Sequence, residues 1–298
     1  MEQIEHSESS ISRVGKNIVL LPGSFKPPHK GHWEMVMDNI NTADEIHIFI
    51  SNTSTKYISE RKLSKSNLKP LGKILSKIED EVEDKTPEIT QFCEYIGSSI
   101  DTINYNMLKA KLEEVKSALP DDIQQMIDNY LKDVSENIFK SIRYTSAGTE
   151  ITPEVSQEIF EQYIKDYNVG DKVFVHISTS PSPMIAAIGF TNATCKDCNI
   201  YIGSNTQDEA KERAKSINEL IKGFSYNPTN KINLLPVANK IQAARDIRAN
   251  INNLSKDMFP SEITDGTYNK IVELLTNNIS ESQFNQLFNT IITEFKHQ

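Results

Sequence analysis

Asn17–Pro22 contains an Ile-Val-Leu-Leu run with no polar alternation. A strand of that kind is buried on both faces, the situation of a strand inside a parallel sheet covered by helices above and below. The neighbouring segments obey the same constraint. Trp33, Val36, Met37 and Ile40 recur at i, i+3, i+4 and i+7, the stripe of a helix that packs on a sheet. Glu45–Ser51 (Glu-Ile-His-Ile-Phe-Ile-Ser) then predicts a second strand and closes a β-α-β unit.

From about Tyr57 to Ala147 the pattern changes to long charged helical stretches. These include Lys73–Glu83 and Met107–Leu119, with Pro70, Pro87 and Pro120 as punctuation. The α/β pattern resumes at Pro153–Tyr167, a helix with Thr152 at its N-cap and Pro153 at its first position. Lys172–Ser178, Asn199–Gly203 and Lys231–Pro236 predict further strands, with helices at Gln207–Lys222 and Ala243–Leu254. Beyond Phe259, Ile271, Leu274 and Leu275 and then Phe284, Leu287 and Ile291 form apolar stripes. Strands alternating with helices on both sides of an insertion predict a Rossmann-like α/β fold with a doubly wound parallel sheet. The expected organisation is an α/β domain from 15–60 and 150–255, a helical insertion at 61–149 and C-terminal helices at 256–298.

Hydrophobic residues make up 38% and charged residues 24% of the chain, a globular profile, and no window is apolar for long enough to span a bilayer. The net charge of -9 supplies no overall positive field for nucleic acid, so neither nucleic acid nor membrane is an expected partner. Met1–Lys16 is polar and acidic, without an apolar run behind a basic segment. Three cysteines, Cys93, Cys195 and Cys198, fit a reducing compartment, and the expected location is the cytoplasm. Cys195-Lys-Asp-Cys198 has the spacing of half a zinc site. With no second pair nearby it reads as a loop before a strand, and no metal ligands are assigned.

The chemistry is concentrated directly after the first strand, in Gly23-Ser24-Phe25-Lys26-Pro27-Pro28-His29-Lys30-Gly31-His32. In an open parallel sheet the ligand crevice lies beyond the carboxyl ends of the strands, where this loop leaves. Gly23 admits close approach of backbone to a ligand, and Pro27 with Pro28 delays the helix until the histidines. His29 and His32 then fall at the first helical turn, where free N–H groups and the helix dipole favour an anion. Two imidazole donors at that place suit a transferring phosphoryl group, whose reaction is accelerated by positioning and charge stabilisation. Gly31 keeps bulk away from the phosphates.

This stretch resembles the signature of the nucleotidylyltransferase superfamily, Gly-x-Phe-x-Pro-x-His-x-Gly-His, and matches every specified position. The family's second signature, similar to Ile-Ser-Ser-Thr-x-Ile-Arg at a helix start, corresponds to Gln242-Ala243-Ala244-Arg245-Asp246-Ile247-Arg248. Here Ile247 and Arg248 agree and the hydroxyl residues are replaced. Thr152–Tyr167, Ser178-Thr179-Ser180-Pro181-Ser182-Pro183 and Ile200-Tyr201-Ile202-Gly203-Ser204 resemble the branch of the superfamily often encoded by bacteriophages. The resemblance implies catalysis by His29, His32, Lys26 and Arg248. It implies a nucleotide lined by Gly23, Ser24, Phe25, Gly31, Gly203, Ser204 and Arg245, with Arg213 reaching toward the phosphates. It also implies ATP or CTP as donor, a small phosphorylated acceptor, and Mg2+ carried mainly by the triphosphate.

Three other readings compete. Loss of the Ser and Thr hydroxyls fits a nucleotide-binding protein that no longer catalyses. Lys62-Leu63-Ser64-Lys65-Ser66 resembles the second signature of class I aminoacyl-tRNA synthetases, but it stands before the insertion rather than after the second half of the fold. The acidic balance also opposes tRNA. Finally, the insertion and tail would serve as an interaction platform, and the insertion as a lid or a surface for a homo-oligomer.

Overall fold

The computed structural model of the 298-residue chain describes residues 13–180, 182–203, 215, 217, 229–235 and 244–276. Ser204, Arg213, most of the helix expected over Gln207–Lys222, Gln242, Ala243 and the stripe Phe284, Leu287, Ile291 lie outside these residues. The chain divides into two compact units, one formed by Met1–Asn52 with Arg143–Gln298 and the other by Thr53–Ile142.

The first unit is the α/β fold. Its elements are β1 (Arg13–Val14), β2 (Asn17–Gly23), α1 (Lys30–Met37) and β3 (Glu45–Ile50). After the second unit come α7 (Pro153–Asp166), β4 (Val173–Ile177), α8 (Pro183–Thr194), β5 (Cys195–Lys196), β6 (Asn199–Ile202) and β7 (Lys231–Leu234). The last are α9 (Ala244–Ala249), two 3-10 turns and α10 (Asp265–Thr276). Among the described residues the main sheet has five strands in the order β4-β3-β2-β6-β7, all parallel. Chain order reverses direction at β2, which lies between β3 and β6. The crevice for a ligand in such a sheet is at that reversal, beyond the carboxyl ends of β2 and β6.

The buried run of β2 explains its central place. Val19 and Leu21 join Ile46, Ile48 and Ile50 on one face, against Trp33 and Val36 of α1, Ile159, Phe160 and Tyr163 of α7, and Ile271 and Leu275 of α10. Ile18 and Leu20 join Phe49, Ile200 and Ile202 on the other, against Ala187 and Ile188 of α8. Each fully buried Ile or Leu contributes about 1.5–3 kcal/mol. Thr152 caps α7 by accepting from the Val155 N–H, with Pro153 in the first turn.

Three details differ from the sequence reading. Helix α8 was not expected; Pro-Met-Ile-Ala-Ala-Ile-Gly-Phe is apolar on every side and shows no helical period. Arg13–Val14 and Cys195–Lys196 pair as a small parallel ladder. The helix expected over Ala243–Leu254 is described as Ala244–Ala249 followed by a 3-10 turn at Ile251–Asn253.

The second unit contains α2 (Thr55–Ser59), α3 (Lys65–Glu81), α4 (Pro87–Ser99), α5 (Tyr105–Lys116) and α6 (Asp121–Phe139). Its core is its own: Leu71, Ile74, Ile78, Phe92, Ile96, Leu108, Leu112, Ile123 and Ile127 are all buried together. Ser64, Thr86 and Asn104 accept backbone N–H bonds as N-caps of α3, α4 and α5. Pro70, expected to interrupt a helix, lies inside α3. The stripe Leu68, Leu71, Ile74, Ile78 runs past it, and burial of that stripe outweighs the hydrogen bond that proline cannot make. Among the described residues no helix is long and apolar enough to cross a membrane.

Candidate functional site

The loop from β2 into α1 is held from several sides. Phe25 has φ +51° and packs its buried ring against Phe160 and edge-on to His32, with centroids 5.3 and 4.9 Å away. That ring fills the space where a side chain on Gly23 would be, since a Cβ there would stand 2.8 Å from it. Gly23 is therefore needed for packing of the loop itself. The Tyr163 hydroxyl of α7 donates to the Pro28 carbonyl at 3.3 Å, and Arg248 of α9 donates through Nη1 to the Lys26 carbonyl. Ser24 is exposed at the loop's surface, and Lys26, despite its charge, is only 1% exposed.

His29 is the N-cap of α1, and its Nδ1 accepts from the Gly31 N–H at 3.1 Å. In a neutral imidazole that acceptance leaves the proton on Nε2, so the ring keeps a donor on its other side. The ring of His32 lies beside it, with centroids 3.8 Å apart and planes tilted by 32°. A Cβ on Gly31 would come within 3.3 Å of His29 Cε1, so glycine keeps room for this histidine. Two imidazoles are thus stacked at the first turn of a helix, where the dipole is positive.

Gly203 is the residue after β6. Its N–H donates to the Leu20 carbonyl at 3.0 Å, and a Cβ would meet Leu21 Cδ2 at 2.6 Å and Met35 Cε at 3.1 Å. A side chain at Gly203 would push the ends of Leu21 and Met35 aside, so glycine suits the close approach of β6 to β2 and α1 at the reversal.

Arg248 is half-buried and Arg245 exposed on α9. Burial, together with the positive charges of Arg143 and Arg245, pushes the pKa of Arg248 down, while Asp246 opposes this. Arg143 was not anticipated from the sequence. It stands at the end of a charged stretch assigned to the insertion, and nothing local distinguishes it from the other cations there.

A second charged cluster stands at the amino end of the sheet. Glu45 pairs with Arg13 and Lys16 and takes a 3.0 Å contact from His47 Nε2. Burial pushes the Glu45 carboxyl up, but the bonds from Lys16, Arg13 and His47 outweigh this and hold it at about 2. Glu45 is therefore ionised and only accepts, so His47 Nε2 carries its proton and His47 Nδ1 accepts from His176 Nε2 at 2.9 Å. Burial lowers the pKa of His47 to about 4 and depresses that of His176 as well.

Cys195 and Cys198 are both fully buried, and burial pushes the Cys195 thiol up to about 11. A thiol in that state is a poor nucleophile and a poor metal ligand at neutral pH. Lys62–Ser66 belongs to the helical unit, where Leu63 joins the core and Ser64 caps α3. Compared with protein families and with curated proteins, the chain matches no family and no curated sequence.

Proposed function

We propose that the protein is a nucleotidylyltransferase that transfers an adenylyl or cytidylyl group from ATP or CTP to a small phosphorylated acceptor and releases pyrophosphate. The observation that carries this reading is the complete Gly-x-Phe-x-Pro-x-His-x-Gly-His string in the loop that leaves the central strand at the chain reversal, with Arg248 bonded to that loop. An acceptor phosphate oxygen attacks the α-phosphorus in line. The new O–P bond forms as the bond from the α-phosphorus to the oxygen bridging to the β-phosphorus breaks, and that oxygen leaves with pyrophosphate. The Nε2–H of His29, the imidazole of His32 and the cations Lys26 and Arg248 offset the charge that develops on the departing oxygens.

The side chains gathered here are hydrogen-bond donors and an arginine cation rather than carboxylates, which fits Mg2+ brought in on the triphosphate rather than held in a protein cage. Bound with the nucleotide, the ion would neutralise part of the charge on the phosphates. ATP is favoured as donor, since the Arg-rich signature of cytidylyl transfer to phosphocholine-like acceptors is not seen in the sequence. The free cysteines support a cytoplasmic location.

The replacement of hydroxyl residues by Ala243, Ala244 and Arg245 favours one second reading, a nucleotide-binding protein without turnover. The two separate in one assay: pyrophosphate release from ATP and from CTP with Mg2+ across a panel of phosphorylated acceptors, with the double variant His29→Ala, His32→Ala as blank. Release with a particular pair, lost in the blank, supports the transferase. Nucleotide binding with no release across the panel supports the binder.

A further inference from the structure

The helical unit holds a groove of its own. An antiparallel bridge between Lys62 and Asn104, with a 2.9 Å bond from the Leu63 N–H to the Ile103 carbonyl, ties the chain entering α3 to the chain leaving α4. Beside this tie lies a groove of about 580 Å3, the size of a small-molecule site. Leu68, Leu71 and Leu75 of α3 line it together with the exposed side chain of Ile100. Gly72 lines it as well. A Cβ there would meet nothing within 4 Å, so packing inside the chain does not call for glycine, and glycine inside a helix is less favourable than alanine. What the missing side chain leaves is room in the groove.

Charge gives the groove a direction. Lys62, Lys65 and Lys69 line it where α3 begins, whereas the α3 residues lining it beyond them are Leu71, Gly72 and Leu75. Asp101 is the one carboxylate among its lining residues; it stands 3.8 Å from Lys62 with both side chains exposed, where such a pair contributes little. Helix α3 also carries its charges in the reverse of the order that its dipole favours, with Lys65 and Lys69 in the first two turns and Glu79, Asp80 and Glu81 in the last. At the far end Lys77 offsets the acids by pairing with Glu81 and Asp122. At the groove end the lysines gain from an anion. A partner helix with acids repeated along its length would need cations along the whole groove. An apolar chain with one anionic end matches cations at one end and apolar space at the other.

We propose that the helical unit binds a free single-chain amphiphile, an apolar chain ending in a carboxylate or a phosphate. Its anionic end lies at Lys62, Lys65 and Lys69, and its chain runs over Leu68, Leu71, Gly72 and Leu75. The site lies wholly within Thr53–Ile142 and stands whether or not the protein is a transferase.

The test is calorimetric titration of the full-length protein with dodecyl phosphate and with dodecanoate, each below its micellar concentration. Inorganic phosphate controls for the anion alone and dodecyltrimethylammonium for the chain alone. The same titrations are made on Gly72→Leu and on the double variant Lys65→Gln, Lys69→Gln, with thermal unfolding of each. The expected result is saturable 1:1 binding of an anionic amphiphile, the preferred one naming the end group, with neither control saturating in the same range. Affinity falls about tenfold in the lysine variant, and by about as much or more in Gly72→Leu, where the new side chain fills the groove. The unfolding midpoint does not fall in either. If Gly72→Leu does unfold earlier, the lysine variant, in which only exposed side chains change, decides. Equal affinity for anionic and cationic chains, or affinity unchanged in the lysine variant, overturns the proposal. So does the absence of saturable binding of both anionic amphiphiles; capture of anionic phospholipid vesicles or of an acidic amphipathic peptide in that case would make the groove a docking surface instead.

Discussion

The two charged clusters of the parallel sheet make an instructive pair. At its amino end, Glu45 collects Arg13, Lys16 and His47, and these opposite charges hold its carboxyl down at about 2. At its carboxyl end, Arg248 is also shifted down, but by burial and by the like charges of Arg143 and Arg245. The same direction has opposite meanings. For an acid it records cations that stabilise the ion, and for a base it records surroundings that oppose the ion. The first cluster pairs opposite charges within the chain; the second brings like charges beside Arg248, and on the proposed reading it would meet a phosphate anion. A shifted ionisation marks a candidate site only when its cause is known.

The sharpest way to break this contrast is His32→Ala. It lowers transferase turnover by about a thousandfold, because a donor aimed at developing charge is lost, with the unfolding curve unchanged. Turnover at the normal rate in a pyrophosphate-release assay would mean that the stacked histidines are only packing.

The amino-end cluster responds to acid instead. His47 has a folded pKa of about 4 against an ordinary 6.5, so its contribution is complete above pH 6.5 and is lost as pH falls toward 4. That window carries on the order of 3 kcal/mol of folding stability. His176 shifts in the same direction and adds to it. Urea unfolding at pH 7 and pH 4.5 measures the loss. In His47→Leu the dependence across this window becomes shallower, and an unchanged slope would show that the histidine pair does not titrate as described.

Arg248→Lys separates charge from shape. A lysine keeps the positive charge but cannot offer a planar fork to both the Lys26 carbonyl and a phosphate. Nucleotide affinity drops by roughly 2 kcal/mol, read as a Kd shift in a binding titration, with the acid dependence at the other end of the sheet unaffected. The smallest effect is expected from Gly203→Ala. The new methyl meets Leu21 at 2.6 Å, and backing away from it costs about 1–2 kcal/mol in a thermal or urea unfolding measurement. Since Leu20 and Leu21 belong to the strand that carries the histidine loop, the nucleotide KM rises as well.

Much of the α/β unit was legible because burial on both faces leaves an unbroken apolar run, as in Ile18–Leu21, and because the loop motif stands next to it in the chain. The strand at Glu45 followed from the same logic, while those at Val173, Asn199 and Lys231 were legible as short β-prone runs, the last of them mostly exposed. Helix α8 was hidden because Ala187 and Ile188 face the sheet while Ile185, Phe190 and their neighbours are also apolar, which erases the period. Pro70 misled because tertiary burial overrode a local rule. The two clusters were illegible for a different reason. Arg13 meets Glu45 across 32 positions, and the turn that bonds the Arg248 carbonyl does so through the Ser146 N–H, with Gly148 as its local sign. Such pairings exist only after the sheet and its connections have formed.

The central claim, that the carboxyl end of the sheet is a polyphosphate site while the amino end pairs opposite charges within the chain, is tested most directly by histidine-detected NMR. The imidazole nitrogen and carbon-bound proton signals would be followed during titration with a non-hydrolysable ATP analogue and Mg2+. The account predicts saturable shifts for His29 and His32, with His29 remaining protonated on Nε2, and stationary signals for His47 and His176. Stationary signals for His29 and His32 at saturating analogue, or equal movement of all four histidines, would contradict it.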